Sequence, residues 1–153
     1  MDLMFIPIGT VQGGRDVPED DDWGRSRCRL ALDAKQFEPD ALAGLSDFSH
    51  IEVVFVFDRV SNDKIVSGAR HPRGNKDWPK VGIFAQRGKN RPNRIGVTKC
   101  RLIAVDGLKI EVEGLDAIDG TPILDIKPVM KGFQPRGDIF DPAWATEIMK
   151  DYW

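Results

Sequence analysis

The chain has 153 residues, enough for one domain with a sizeable core. Its 41% hydrophobic and 30% charged residues exclude a disordered or fibrous protein. The net charge of −2 argues against a uniformly basic nucleic-acid binder, but that average hides unlike blocks. Residues 1–63 hold 6 Lys/Arg against 13 Asp/Glu, residues 64–101 hold 11 against Asp77 alone, and residues 102–153 hold 5 against 10. A strongly basic block between acidic ones can form a local footprint for a polyanion. Alternatively, the acidic flanks fold over the block and neutralise it. The two cysteines, Cys28 and Cys100, lie in strand-like runs and read as buried free thiols, with no disulfide framework. No apolar stretch is long enough for a signal peptide or a membrane span, so a reducing cytoplasm is expected.

Short strand-like runs recur along the chain. Met4–Val11 is apolar with β-branched residues. Ser26–Leu32 alternates Cys28, Leu30 and Leu32 with Arg27, Arg29 and Ala31. Asp40–Gly44 reads as one short helical turn. Ile51–Phe57 is nearly all apolar and reads as a central strand buried on both faces. Val81–Ala85, Ile95–Val105, Lys109–Val112 and Pro122–Ile126 follow as strands, with Asp106-Gly107 as a hairpin signal. Pro142–Tyr152 is the best helix, with Asp141 as N-cap, Pro142 in the first turn and an apolar face of Trp144, Ile148 and Met149. Segments 13–25 and 61–80 read as long binding loops. The sum is a mainly β fold, a barrel or sandwich with a C-terminal helix packed outside.

No GxGxxG, GxxxxGK[ST] or HExxH occurs. His50 and His71 have no ligand-spaced companions, so no metal is expected. The informative stretch is residues 81–102, VGIFAQRGKNRPNRIGVTKCRL. Arg87, Lys89, Arg91 and Arg94 crowd one loop with Gly88, Pro92 and Asn93. Folding gains little from like charges on a turn, whereas guanidinium groups suit carboxylates and phosphates. Lys89, Arg91, Asn93, Arg94, Arg70 and Arg73 are therefore candidates for phosphate contact, with Arg91 and Asn93 equally able to bond nearby carbonyls. A second motif, Asp119-Gly120-Thr121-Pro122, makes a tight turn before a strand and offers a carboxylate, a hydroxyl and backbone N–H groups. Beyond it, Asp125 and Lys127 share one side of the strand and are expected to pair. From these features alone, an enzyme with an anionic ligand and a non-catalytic RNA- or nucleotide-binding barrel both remain open.

Three stretches, LSDFSHIEVVFVFDR (45–59), VGIFAQRGKNRPNRIGVTKCRL (81–102) and GLDAIDGTPILDIKPV (114–129), together with FIPIGTV (5–11), resemble the TsaA-like (TrmO) family. The resemblance implies a single TsaA-like domain over 1–153, with a core of about 4–129 and a helix of about 142–152. It also implies a small non-Rossmann β-barrel that works as a homodimer and takes S-adenosylmethionine. The implied activity is methylation of N6 of N6-threonylcarbamoyladenosine at tRNA position 37. It places cofactor contacts on Arg87, on Asp119, Gly120, Thr121 and Pro122, on Asp58 and Arg59, on Val97, and in a looser alignment on Trp23 and Gly24. No catalytic base is assigned, although Asp58 and Asp125 are candidates for taking a proton from N6. Where the family usually reads ATRSPxRPNPIG, this chain reads AQRGKNRPNRIG, which makes the loop more basic.

Overall fold

The computed structural model describes residues 1–153. Six strands close into an antiparallel barrel: β1 (Gly9–Gln12), β2 (Arg27–Leu32), β3 (His50–Val56), β6 (Ile95–Asp106), β7 (Lys109–Glu113) and β8 (Pro122–Pro128). Their order around the barrel is β1-β2-β7-β6-β3-β8, and β1 returns to β8 through Gly9 opposite Ile123. Two two-residue strands, β4 (Ala69–Arg70) and β5 (Val81–Gly82), pair in the loop between β3 and β6. One short helix, α1 (Ala143–Ile148), follows the barrel.

Alternation in the sequence becomes the inside and outside of the barrel. Cys28 and Leu30 of β2, Ile51, Val53 and Phe55 of β3, and Ile110 and Val112 of β7 point inward and join Val11, Leu115 and Ile123 in one core. Burial of each such aliphatic or aromatic side chain contributes about 1.5–3 kcal/mol. The β6–β7 hairpin turns at Gly107, whose φ of 58° lies in the left-handed region that the Asp-Gly signal anticipates.

The structure amends four expectations. The first strand begins at Gly9, and Met4, Phe5 and Ile6 are exposed. β3 is buried on its inner face only, because a barrel strand has one interior side and Glu52, Val54 and Val56 face outward. Past Gly82 the strand 81–85 becomes a 3-10 turn that buries Ile83 and exposes Phe84. The helix is six residues rather than eleven; Pro142 takes the N-cap position, and Asp141 accepts a bond from Thr146 Oγ1 at 3.0 Å.

Both thiols are buried as expected. Burial pushes Cys28 from 9.0 up to about 11. Burial, followed by the neighbouring Cys28 and Asp116, pushes Cys100 up to about 12. A raised thiol pKa means that folding favours the protonated form, so its stabilisation is complete below pH 9 and fades as pH climbs toward 11–12. Native protein at pH 8 is expected to resist an aromatic disulfide reagent while both thiols react in denaturant, and the urea midpoint should fall above pH 9. Rapid labelling of the native protein would overturn this placement.

Candidate functional site

Strand direction decides where the candidates meet. At one barrel end β1, β3 and β7 finish, at Gln12, Val56 and Glu113, and β2, β6 and β8 begin. The connections there are 13–26, 57–94 and 114–121, and they carry nearly every candidate residue, with Val97 just inside β6 and Pro122 opening β8. Four non-glycine residues have positive φ, Asp22, Arg73, Asn93 and Arg94, and all four lie in these loops. Such conformations cost energy and gather where a site requires a particular backbone.

Hydrogen bonds stitch the loops together. Arg59 donates from Nη1 to Asp16 O at 2.9 Å and from Nη2 to Asp119 O at 3.2 Å. Asp119 Oδ1 accepts the Gly13 N–H at 2.8 Å, and Thr121 Oγ1 donates to Ile118 O at 2.6 Å. The Asp119–Pro122 turn is thereby joined to the 13–25 loop and to Arg59. Asp58, beside Arg59, is exposed. Arg87 donates from Nη2 to Val97 O at 2.7 Å, so the loop arginine rests on the edge of the barrel wall while remaining exposed.

The other basic side chains divide by their partners. Arg91 Nη1 donates to Gln86 O at 2.7 Å, and Arg94 Nη1 donates to Val60 O at 2.5 Å. Arg70 Nε donates to Gln86 Oε1 at 3.4 Å. A carbonyl orients a guanidinium without neutralising it, so these arginines are fixed yet fully charged. Arg73 differs, because Nη2 lies 3.0 Å from Asp21 Oδ1 and Nε lies 4.0 Å from Asp20 Oδ2. The acidic loop thus compensates one arginine of the basic block and leaves Arg70, Arg87, Arg91 and Arg94 without a carboxylate partner. Lys89 is half-buried in the same loop, and Asn93 turns the chain with φ 61°.

Trp23 is buried, with its Nε1 donating to Glu19 O at 3.1 Å and the Arg15 guanidinium 4.1 Å above its ring. The chain after β8 leaves the opposite barrel end, yet its last residues come back to this one. Asp22 and Trp23 donate their N–H groups to Asp151 O and Tyr152 O at 2.9 and 2.8 Å, and Trp78 Nε1 donates to Glu147 Oε2 at 3.1 Å. A Cβ on Gly24 would come within 2.6 Å of the Trp153 carbonyl carbon, so only glycine admits this strap. Asp116 accepts hydroxyl bonds from both Thr98 and Tyr152, which links β6 to the same segment. Burial first, then the Asp116 carboxylate, drives the Tyr152 phenol far upward, and it stays a donor.

Gln86, Asp116 and Tyr152 were not singled out from sequence. A lone amide in the apolar run GIFAQ was a signal for Gln86, and the duplicated Asp in LDAID a signal for Asp116. Asp125 and Lys127 form the expected pair at 2.6 Å. His50 bonds Ser49 Oγ at 2.7 Å and His71 bonds Trp78 O at 2.7 Å, and no three His, Cys, Asp or Glu side chains are grouped to hold a metal ion. An open concavity of about 500 Å³ between Ala34–Pro39 and Gly107–Leu108 lies at the opposite end, away from these residues.

Residues 12–134 match the family described as the tRNA-methyltransferase O N-terminal domain. The chain belongs to that family. A human tRNA (adenine(37)-N6)-methyltransferase is 37% identical over 102 residues, which cover 67% of this chain and 23% of that protein. A probable S-adenosyl-L-methionine-binding protein of Pyrococcus abyssi is 30% identical over 141 residues, 90% of this chain and 73% of the relative. The crystal structure of TrmO from Pseudomonas aeruginosa superposes with a TM-score of 0.73 at 26% identity, over 92% of this chain and 61% of that one. The chain thus spans about a quarter of the length of the human relative. The match to the TrmO_N family runs from the end of β1 through β8 and takes in all three loops of the site end. No helix is long and apolar enough to cross a membrane.

Proposed function

We propose that this chain is an S-adenosylmethionine-dependent methyltransferase acting on N6 of N6-threonylcarbamoyladenosine at tRNA position 37, as a single domain in the cytoplasm. The carrying observation is that one barrel end gathers the Asp119 turn, whose carboxylate has no cationic partner, and several uncompensated guanidiniums within a TrmO_N-family fold. The donor set fits the cofactor. Its amino-acid end carries one carboxylate and one ammonium, and the site supplies a cation, Arg87, and an anion, Asp119. Arg87 has one donor on Val97 O and others left for a carboxylate. Asp119 uses one oxygen on Gly13 N–H and retains acceptor capacity for an ammonium or ribose hydroxyls. Gly120, Thr121 and Pro122 shape that turn, Arg59 fixes it, and Trp23 and Gly24 lie in the loop that Gly13 ties to Asp119.

The cofactor, when bound, supplies a sulfonium methyl with its leaving group already attached, so the chain's task is positioning and exclusion of water. Of the two carboxylates considered for the N6 proton, Asp125 is committed to Lys127, whereas Asp58 is exposed beside Arg59 and is the better placed acceptor. Arg70, Lys89, Arg91 and Arg94, turned by Asn93, would draw the anticodon-loop phosphates. Arg73 would join them only by releasing Asp21. A second copy of the chain would be the protein partner, for which exposed Phe84, Phe133, Ile139 and Phe140 offer apolar surface.

Salt is the discriminating variable. With about four phosphate contacts, RNA affinity should fall roughly a hundredfold between 50 and 200 mM salt, while cofactor affinity changes little. Binding of an anticodon stem-loop by fluorescence anisotropy checks this, followed by methyl transfer to tRNA with and without the threonylcarbamoyl group. An RNA affinity flat across that range would remove the phosphate assignment, and folded protein that does not bind millimolar cofactor would remove the enzyme reading.

A further inference from the structure

Gln86 is an amide that is only 7% exposed at the foot of the basic loop. Its Nε2 donates to Val81 O at 2.9 Å and to Arg70 O at 3.2 Å, and its Oε1 accepts Arg70 Nε at 3.4 Å. Its main-chain oxygen accepts Arg91 Nη1 at 2.7 Å. One buried residue therefore holds the backbone of Arg70, the guanidinium of Arg70 and the guanidinium of Arg91. The β4–β5 pairing adds rigidity, with Arg70 opposite Val81. Gly88 provides the clearance, since a Cβ there would lie 2.7 Å from Arg70 Nη2. Both arginines are half-buried, both guanidiniums bond only neutral acceptors, and neither forms a salt bridge. Arg70 hangs from the side-chain oxygen of Gln86 and Arg91 from its main-chain oxygen, so one residue aims two cations whose remaining N–H donors suit a phosphate oxyanion.

We propose that Arg70 and Arg91 form a preformed site for one phosphodiester of the RNA substrate, with Gln86 as its positioning residue and Gly88 as the clearance that lets Arg70 reach it. This rests on the reading above that RNA is the substrate. The shared chemistry is a phosphate oxyanion, which an RNA backbone or free phosphate could supply.

The test uses the full chain and four variants, R70Q, G88A, Q86E and Q86L, with an anticodon stem-loop as the RNA probe and inorganic phosphate as a second probe at constant ionic strength. In G88A the added methyl displaces Arg70. In Q86E a carboxylate offsets one of the two positive charges and retains an acceptor for Arg70 Nε, while the amide bonds to Val81 O and Arg70 O are lost. R70Q, G88A and Q86E are each expected to weaken RNA binding about tenfold and to flatten the log–log salt dependence by about one, with cofactor affinity unchanged. Q86L reports the loss of positioning. Should it fail to fold, R70Q and G88A, at half-buried positions outside the core, decide the matter alone. Cofactor-competent variants that keep the RNA affinity and salt slope of the parent would overturn the site while leaving the RNA reading intact. A parent chain whose RNA affinity ignores salt would overturn both. Inorganic phosphate binding that depends on Arg70, with RNA binding indifferent to it, would assign the site to a free phosphate and overturn the phosphodiester.

Discussion

R87A is expected to weaken S-adenosylmethionine binding by roughly ten- to a hundredfold, because a hydrogen bond to a charged group is worth about 1.5–3 kcal/mol. The reasoning depends on what else Arg87 does. It makes one hydrogen bond, to the Val97 carbonyl at 2.7 Å, at an exposed edge of β6. Removing it leaves one solvent-reachable carbonyl unpaired, which is a small loss of stability. The fold should survive, and the loss should appear in ligand affinity. R87K keeps the charge but not the planar pair of donors, so it should recover only part of the affinity. Titration calorimetry on both variants, beside their melting temperatures, is the measurement. Unaltered cofactor affinity in folded R87A would place the carboxylate elsewhere.

The second large effect lies underneath that contact. Phe55 is 1% exposed on the inner face of β3, and Gly96 opposes it on β6. A Cβ on Gly96 would come within 2.5 Å of Phe55 Cε2 and 2.9 Å of Phe57 Cζ, whose rings meet edge to face at 5.3 Å. F55A should cost about 3–5 kcal/mol through the cavity it leaves. G96A should cost about 1–3 kcal/mol through overpacking. In the double variant the new methyl enters the vacated space, so the two costs should sum to clearly less than their separate values. Urea denaturation of the four proteins tests the cycle. Strict additivity would mean that the two residues are not in contact. Because Gly96 precedes Val97, a shift there should also reach Arg87.

The barrel was legible because each β-strand records its surroundings in alternate residues. Cys28 and Leu30, or Ile110 and Val112, face the interior while their neighbours meet solvent. The hairpin at Gly107 was legible because few residues tolerate its backbone. The misread parts failed for a related reason. Met4–Ile6 are as apolar as any strand but extend past the barrel rim, and apolar character by itself does not say where a segment pairs. Ile51–Phe57 looked doubly buried because Val54 and Val56, half-covered outside, are the same residue types as Val53 inside. At the site, charge and turn chemistry marked Arg87, Asp119 and the basic loop. Gln86, Asp116 and Tyr152 were not marked, because their importance lies in bonds to residues distant in sequence. Tyr152 meets Asp116 36 residues away, and Arg70 meets Gln86 16 residues away.

The closure of β1 on β8 makes the barrel indivisible. Gly9 and Ile123 lie at opposite limits of the barrel's sequence, and every one of the six strands is hydrogen-bonded on both sides. A fragment that lacks either closing strand therefore carries two unpaired edges, each a template for another chain. While the chain is being made, β1–β2, β3–β6, β6–β7 and β2–β7 can pair before β8 exists, but the ring waits for β8, which joins β1 to β3. The loops that gather the arginines thus acquire their mutual arrangement in the same event that removes the last sticky edge, so a molecule able to bind its anions is also one that has ceased to be prone to aggregation through its strands.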